Sequence, residues 1–178
     1  GSSITIGESG DTISIPSGAT LNSAGTNTLT GISNTPAWMV RLTSSQNVST
    51  STNTVINFNN EILDSAGAYD TSNGRFTVPS GQAGKYYVYS QLMRNNFFNS
   101  RYLVKVRVND TQMLSAEDRN TDTGGTTFQT VQVAGILDLS VGDYVNVSLF
   151  QDSGDSSGAN GDSSGSKSLF MGYKLIGV

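Results

Sequence analysis

Cysteine and histidine are both absent from these 178 residues. Their absence excludes a thiol nucleophile, an imidazole general base, a Ser-His-Asp arrangement and the usual zinc ligands. It also leaves the redox compartment unreadable, because an extracellular chain with a large enough core or oligomer needs no disulfide. Charge is scarce too. Asp, Glu, Lys and Arg make up 13% of the chain, the ten Lys and Arg form no cluster, and the formal net charge is −4. Nucleic acid, whose phosphates require a basic face, is therefore not an expected partner. No apolar run approaches the roughly 20 residues of a membrane span, and no charged-then-apolar leader opens the sequence, so no membrane insertion is expected.

What remains is a text of Ser, Thr, Asn and Gly with short β-branched and aromatic bits, a balance that favours turns and strands over helices. Its anchor is the stretch from Gly67 to Ser90, GAYDTSNGRFTVPSGQAGKYYVYS. Ser72-Asn73-Gly74 is a turn signal, Arg75 to Val78 a short strand, and Pro79-Ser80-Gly81 with Gly84 force a reversal. Tyr86 to Met93 then alternates with period two. Tyr86, Val88, Ser90 and Leu92 fall on one side, with Tyr87, Tyr89, Gln91 and Met93 on the other, so both faces carry apolar bulk. A strand apolar on both faces needs a second sheet on one face and a further cover on the other, for which a second copy of the chain is a candidate.

Two parts are read: an arm over residues 1–35 and a globular head over 36–178. The arm alternates tiny strand-like bits with Gly, Ser and Asn, and is too poor in large apolar residues to stay ordered alone. It is either a flexible linker or a β-rich stalk in which copies wrap round one another. In the head, Trp38 to Leu42, Thr54 to Phe58, Glu61 to Leu63, Tyr102 to Val108, Thr111 to Leu114, Thr127 to Leu139, Tyr144 to Phe150 and Ser168 to Ile176 read as further strands. Ser44 to Asn53, Arg94 to Arg101, Ser115 to Thr126 and Gln151 to Lys167 read as loops, the last as a solvent loop with no large apolar residue. Gly172 in the final strand marks a close backbone approach. Eight to ten short strands without a helical period make an all-β, antiparallel two-sheet sandwich or jelly roll.

Four blocks, VINFNNEILDSAGAYD, GRFTVPSGQAGKYYVYSQLM, GILDLSVGDYVNVSL and SLFMGYKL, resemble in order and spacing the globular head of complement component one-q, within the tumour-necrosis-factor-like jelly rolls. The most specific pieces are Tyr69-Asp70, Gly74-Arg75-Phe76 with Pro79 and Gly84-Lys85-Tyr86-Tyr87, Leu139 to Val145 with Gly142-Asp143, and Phe170 with Gly172. The departures are a missing collagen-like stalk, a short insertion before Gly84 and the long Gly/Ser/Asp loop. The resemblance implies a ten-strand jelly roll assembled as a homotrimer, with Tyr87, Tyr89, Met171 and Tyr173 lining the subunit contact; the alternative is that these four only fill the protomer core. The arm segment GDTISIPSGATLNSAG resembles strand-and-turn stretches of phage tail fibres and other virion appendages. Together the two resemblances imply a non-enzymatic virion appendage or tail-fibre tip, joined to other appendage proteins through the arm. The alternative is a secreted recognition or adhesion module of a cellular organism.

Strand parity predicts that the breaks at Arg94–Arg101, Ser115–Thr126 and Gln151–Lys167 share one end, with the hairpins at Asn109-Asp110 and Gly142-Asp143 at the other. Loops on a rigid scaffold carry binding. Asn95, Asn96, Phe97, Phe98, Arg101, Asp118, Arg119, Asp152 and Asp155 are therefore the candidate contacts to a cell-surface glycan or protein receptor. No cofactor is expected. Calcium held by Asp152, Asp155 and Asp162, with Asp118 and Asp122 nearby, is the alternative to a merely solvated acidic loop, and the spacing matches no EF-hand. Glu61, Glu117 and Asp118 are the acids available for a carboxylate-only glycan hydrolase.

Overall fold

The computed structural model describes residues 34–94, 100–121, 128–154 and 157–176, with 12, 14, 16, 17 and 19 of the arm. Two compact units divide the chain, Gly1–Ile32 and Ser33–Val178. In the first, the described turn is closed by the Ala19 N–H donating to the Pro16 carbonyl at 3.0 Å. The reading of the arm as stalk or linker otherwise lies outside the described residues.

The second unit contains thirteen strands and no helix among the described residues. In chain order the first seven are β1 (Ala37–Arg41), β2 (Gln46–Val48), β3 (Thr54–Val55), β4 (Asn60–Asp64), β5 (Tyr69–Asp70), β6 (Arg75–Thr77) and β7 (Gly84–Arg94). The others are β8 (Ser100–Val108), β9 (Thr111–Asn120), β10 (Gln129–Leu139), β11 (Tyr144–Gln151), β12 (Ser157–Ala159) and β13 (Leu169–Lys174). One antiparallel sheet runs β2-β12-β7-β13-β1-β4 with β10 also paired to β7; the other runs β5-β6-β11-β8-β9 with β3 paired to β11. This is the jelly roll. The strand total exceeds ten because it includes five strands of only two or three residues, β2, β3, β5, β6 and β12.

The anchor strand behaves as its alternation predicts. Along β7, Tyr86, Val88, Ser90 and Leu92 are buried, while Tyr87, Tyr89, Gln91 and Met93 are half-buried on the opposite face. The buried set meets an aromatic cluster that joins the two sheets. Trp38 of β1 stacks on Phe76 of β6 at 3.8 Å between ring centroids and meets Phe170 of β13 edge-on at 5.4 Å. Burying such rings contributes about 1.5–3 kcal/mol each, with a further contribution of about 0.5–1.5 kcal/mol from aromatic pairing.

Three loop readings need correction. Ser44–Asn53 contains β2, and Ser115–Asn120 is the second half of β9, an edge strand whose outward residues are polar because they face solvent. Gln151–Lys167 is not a solvent loop: β12 pairs with β2 and β7, and Gly158, Ala159 and Asn160 are buried. What is buried there is backbone and small side chains, so a search for large apolar residues cannot see it. Gly158 is required, because a Cβ would collide with the Gln46 carbonyl oxygen.

Gly172 is the close approach that its position in a strand announces. A Cβ there would stand 2.5 Å from Trp38 Cζ2 and 2.8 Å from the Tyr87 carbonyl oxygen. Gly172→Ala should therefore lower stability by about 1–3 kcal/mol through overpacking. In urea unfolding this appears as a reduced midpoint at unchanged slope; an unchanged midpoint would show that the Trp38 seat is slack.

Candidate functional site

Register places the strand ends. Arg94 pairs with Gln129, Ser100 with Asn120 and Gln151 with Tyr102, so the ends of β7, β9 and β11 and the starts of β8 and β10 gather at one end of the sandwich. The hairpins lie at the opposite end. Asn109 and Asp110 both have positive φ, as a two-residue hairpin turn demands. That base is tied by Tyr144 Oη donating to Asp110 Oδ2 and Asn109 Nδ2 donating to Asp143 Oδ1, both at 2.7 Å.

At the tip, Ser100, Arg101, Arg119, Thr121 and Asp152 line a polar cleft of about 230 Å³. Arg101 and Arg119 are directly opposed on β8 and β9, and are strand residues rather than loop residues. Glu117 sits two residues before Arg119 on the same face and accepts from Arg101 Nε at 3.2 Å, Arg101 Nη2 at 2.8 Å and Arg119 Nη2 at 3.5 Å. The Arg101 guanidinium also lies over the Phe150 ring, 5.6 Å from its centroid. From the end of β11, Asp152 Oδ1 accepts the Arg101 backbone N–H at 2.6 Å.

Asp118 is turned the other way. Consecutive strand residues face opposite sides, and its carboxylate reaches inward to Arg94 Nη2 at 2.7 Å, where the arginine side chain is fully buried. This pair bridges the two sheets beneath the tip and takes Asp118 out of the cleft. Alternation turns Glu117 and Asp118 to opposite faces of β9, while Glu61 lies exposed on β4, the far edge of the other sheet. Asn95, Asn96, Phe97, Phe98, Asp122 and Asp155 lie outside the described residues. Asp162 accepts from Ser164 Oγ at 2.7 Å and has Lys167 Nζ at 3.8 Å. Among the described residues no group of three or more acids is arranged to hold a metal ion.

A second surface covers the outward face of the β7 sheet. Register aligns Leu63, Met39, Met171, Tyr89 and Ala134 in one row across five strands, and Ala37, Tyr173, Tyr87 and Ile136 in the next. Tyr87 and Tyr173 approach to 5.5 Å between ring centroids. Partial burial holds the Tyr89 hydroxyl above its ordinary pKa, with Tyr87 adding to the effect. Sequence reading supplied Tyr87, Tyr89, Met171 and Tyr173 but missed Met39, Leu63 and Ile136, whose alternation was legible but whose lateral register was not. In the cleft it missed Ser100, Thr121 and the clamping role of Glu117.

The C1q domain model matches residues 37–175, and the chain belongs to that family of recognition and adhesion modules. None of the curated proteins matches it. Among solved structures, the globular domain of zebrafish complement 1qA is similar at TM-score 0.60 and 18% identity, over 79% of this chain and 98% of that one. Eiger TNF from S. frugiperda is similar at TM-score 0.61 and 16% identity, over 80% of this chain and 93% of that one. Murine APRIL gives 0.57 and 12%, over 78% and 98% respectively. At these identities the three establish the jelly-roll fold alone.

Hydrogen bonds from Arg101, ahead of its charge and that of Arg119, hold the Glu117 carboxyl below its ordinary value of 4.5. A depressed carboxylate stabilises the fold above its unfolded value, and that contribution is lost as pH falls through the folded one. Side-chain NMR titration should put the Glu117 midpoint below 4.5. Arg101→Lys, which loses the fork, should move the midpoint back up; no upward movement would dissociate Glu117 from the clamp.

Proposed function

We propose that this chain is a non-enzymatic recognition module that works as a homotrimer, with subunits meeting on the outward face of the β7 sheet and the tip loops carrying the receptor contact. The observation that carries this reading is the pair of apolar rows through Tyr87 and Tyr89. An apolar surface continuous across five strands is a liability on a lone soluble protomer, and burial against copies of the same chain removes it. Exposed Met113, Phe128 and Ile136, each more than half accessible, add apolar area on or beside the edge strands β9 and β10. Membership in a family of often trimeric binding modules supports the same reading, and so does the typically secreted, extracellular setting of C1q-like domains. No helix among the described residues is long and apolar enough to cross a membrane.

A second reading puts the module at the tip of a virion appendage. Its support is the arm sequence GDTISIPSGATLNSAG, within a compact unit of its own over Gly1–Ile32. In that setting the arm joins other appendage proteins and the head caps the fibre. The receptor in either setting is a surface glycan or protein. The genes flanking this one separate the two: virion structural genes support the appendage, and their absence removes it.

Light scattering on the full chain should give three times the 18.7 kDa protomer mass. Met171→Arg and Tyr89→Arg place a charge in the centre of the contact, where an unpaired buried charge costs several kcal/mol. Assembly should weaken at least about a hundredfold, with far-UV circular dichroism unchanged because these side chains face away from the protomer core. A wild-type monomer, or a trimer indifferent to both substitutions, overturns the assembly proposed here.

A further inference from the structure

We propose that the tip cleft between Arg119 and Asp152 binds one ring of a neutral saccharide through adjacent hydroxyl groups. This rests on the recognition reading above and names the ligand class for it.

The first observation is the charge balance. Glu117 takes both inner nitrogens of the Arg101 fork, so those two groups cancel. What remains facing the cleft is Arg119, held only by one 3.5 Å contact to Glu117, and Asp152, whose second oxygen has no hydrogen-bond partner among the described residues. The lining thus offers one guanidinium donor and one carboxylate acceptor whose charges balance. Vicinal hydroxyls match that pair, because each hydroxyl both donates and accepts. A carboxylate or sulfate ligand gains Arg119 but meets Asp152 at close quarters.

The second observation is the scale and rigidity of the cleft. Ser100 lines it at the start of β8, its side chain turned inward on the face of Tyr102, and Thr121 adds a further polar lining group. At about 230 Å³ the cleft lies below the roughly 300–1,000 Å³ of sites for drug-sized ligands, a scale suited to a single ring. Its walls are also prearranged: β8 and β9 carry Ser100, Arg101 and Arg119, and the 2.6 Å bond from the Arg101 N–H fixes Asp152. Fixed walls spare a ligand the entropy of ordering loops.

The test is a titration of the full chain, labelled at arginine, with methyl mannoside, methyl galactoside, methyl fucoside, N-acetylneuraminic acid and glycine, following the Arg101 and Arg119 side-chain N–H signals. At least one neutral glycoside should shift both saturably. Asp152→Asn keeps one oxygen for the Arg101 N–H but turns the cleft's acceptor into a donor, so it should weaken that glycoside at least about tenfold. The same substitution would strengthen an acidic ligand. Response to N-acetylneuraminic acid or glycine alone, no response to any probe, or equal binding by wild type and Asp152→Asn overturns the assignment. A trimer that still attaches to cells while the cleft stays silent sinks this inference and spares the recognition reading. A monomer that attaches to nothing sinks the recognition reading itself.

Discussion

Everything at both candidate surfaces depends on β7 being hydrogen-bonded along both edges. It pairs with β10 over its whole length, Gly84 to Arg94, and with β13 from Tyr86 to Gln91. A slip of one residue would bring Tyr87 and Tyr89 into the core and expel Tyr86 and Val88. Two ladders oppose such a slip, and the Trp38 ring, stacked on Phe76 and packed against Gly172, opposes it from the core side. One strand therefore sets where the tip ends and which tyrosines look outward.

The tip is ordered by charge arranged at two depths. Arg94 and Asp118 form a bridge between the sheets with the arginine out of solvent, while Arg101, Glu117 and Arg119 form a shared clamp on the outer face. Burying an ion pair costs desolvation that its attraction scarcely offsets, whereas leaving either partner alone there is strongly unfavourable. The inner bridge acts mainly by specifying which ends of the two sheets stand together. The outer clamp lies near water and adds little stability; its effect is to hold one guanidinium still.

Legibility in the sequence follows the size of what is buried. Tyr86 to Met93 and Tyr102 to Val108 announce themselves because alternation of large residues is a direct image of a pleated, half-buried strand. Ser115 to Asn120 alternates as well, but between polar outward residues and small or polar inward ones, Ala116 and Asp118 among them, so an edge strand reads as a loop. Ser157–Ala159 leaves no image, since it packs by backbone and asks only that Gly158 lack a side chain. Parity alone gathered Arg101, Arg119 and Asp152 at one end. Ser100 escaped notice because a serine that will be buried looks like any other serine.

The arrangement of the cleft turns on one residue that no alternation rule supplies. From the Asn109-Asp110 turn, Val108 pairs with Thr111 and Arg107 with Gln112, yet Val106 pairs with Leu114, so Met113 is extra and bulges from β9. Continued without that bulge, the ladder would set Arg101 opposite Asp118 and place their charges together on one face. With it, Arg119 stands opposite Arg101 and Asp118 turns inward to Arg94. Like charges directly opposed across two strands repel, and the juxtaposition is tolerable only because Glu117, on the same face two residues earlier, accepts from both guanidiniums. The bulge thus spends one exposed methionine to place two donors side by side and to supply the buried bridge beneath them, which is how an edge strand of ordinary polar residues comes to form one wall of a cleft.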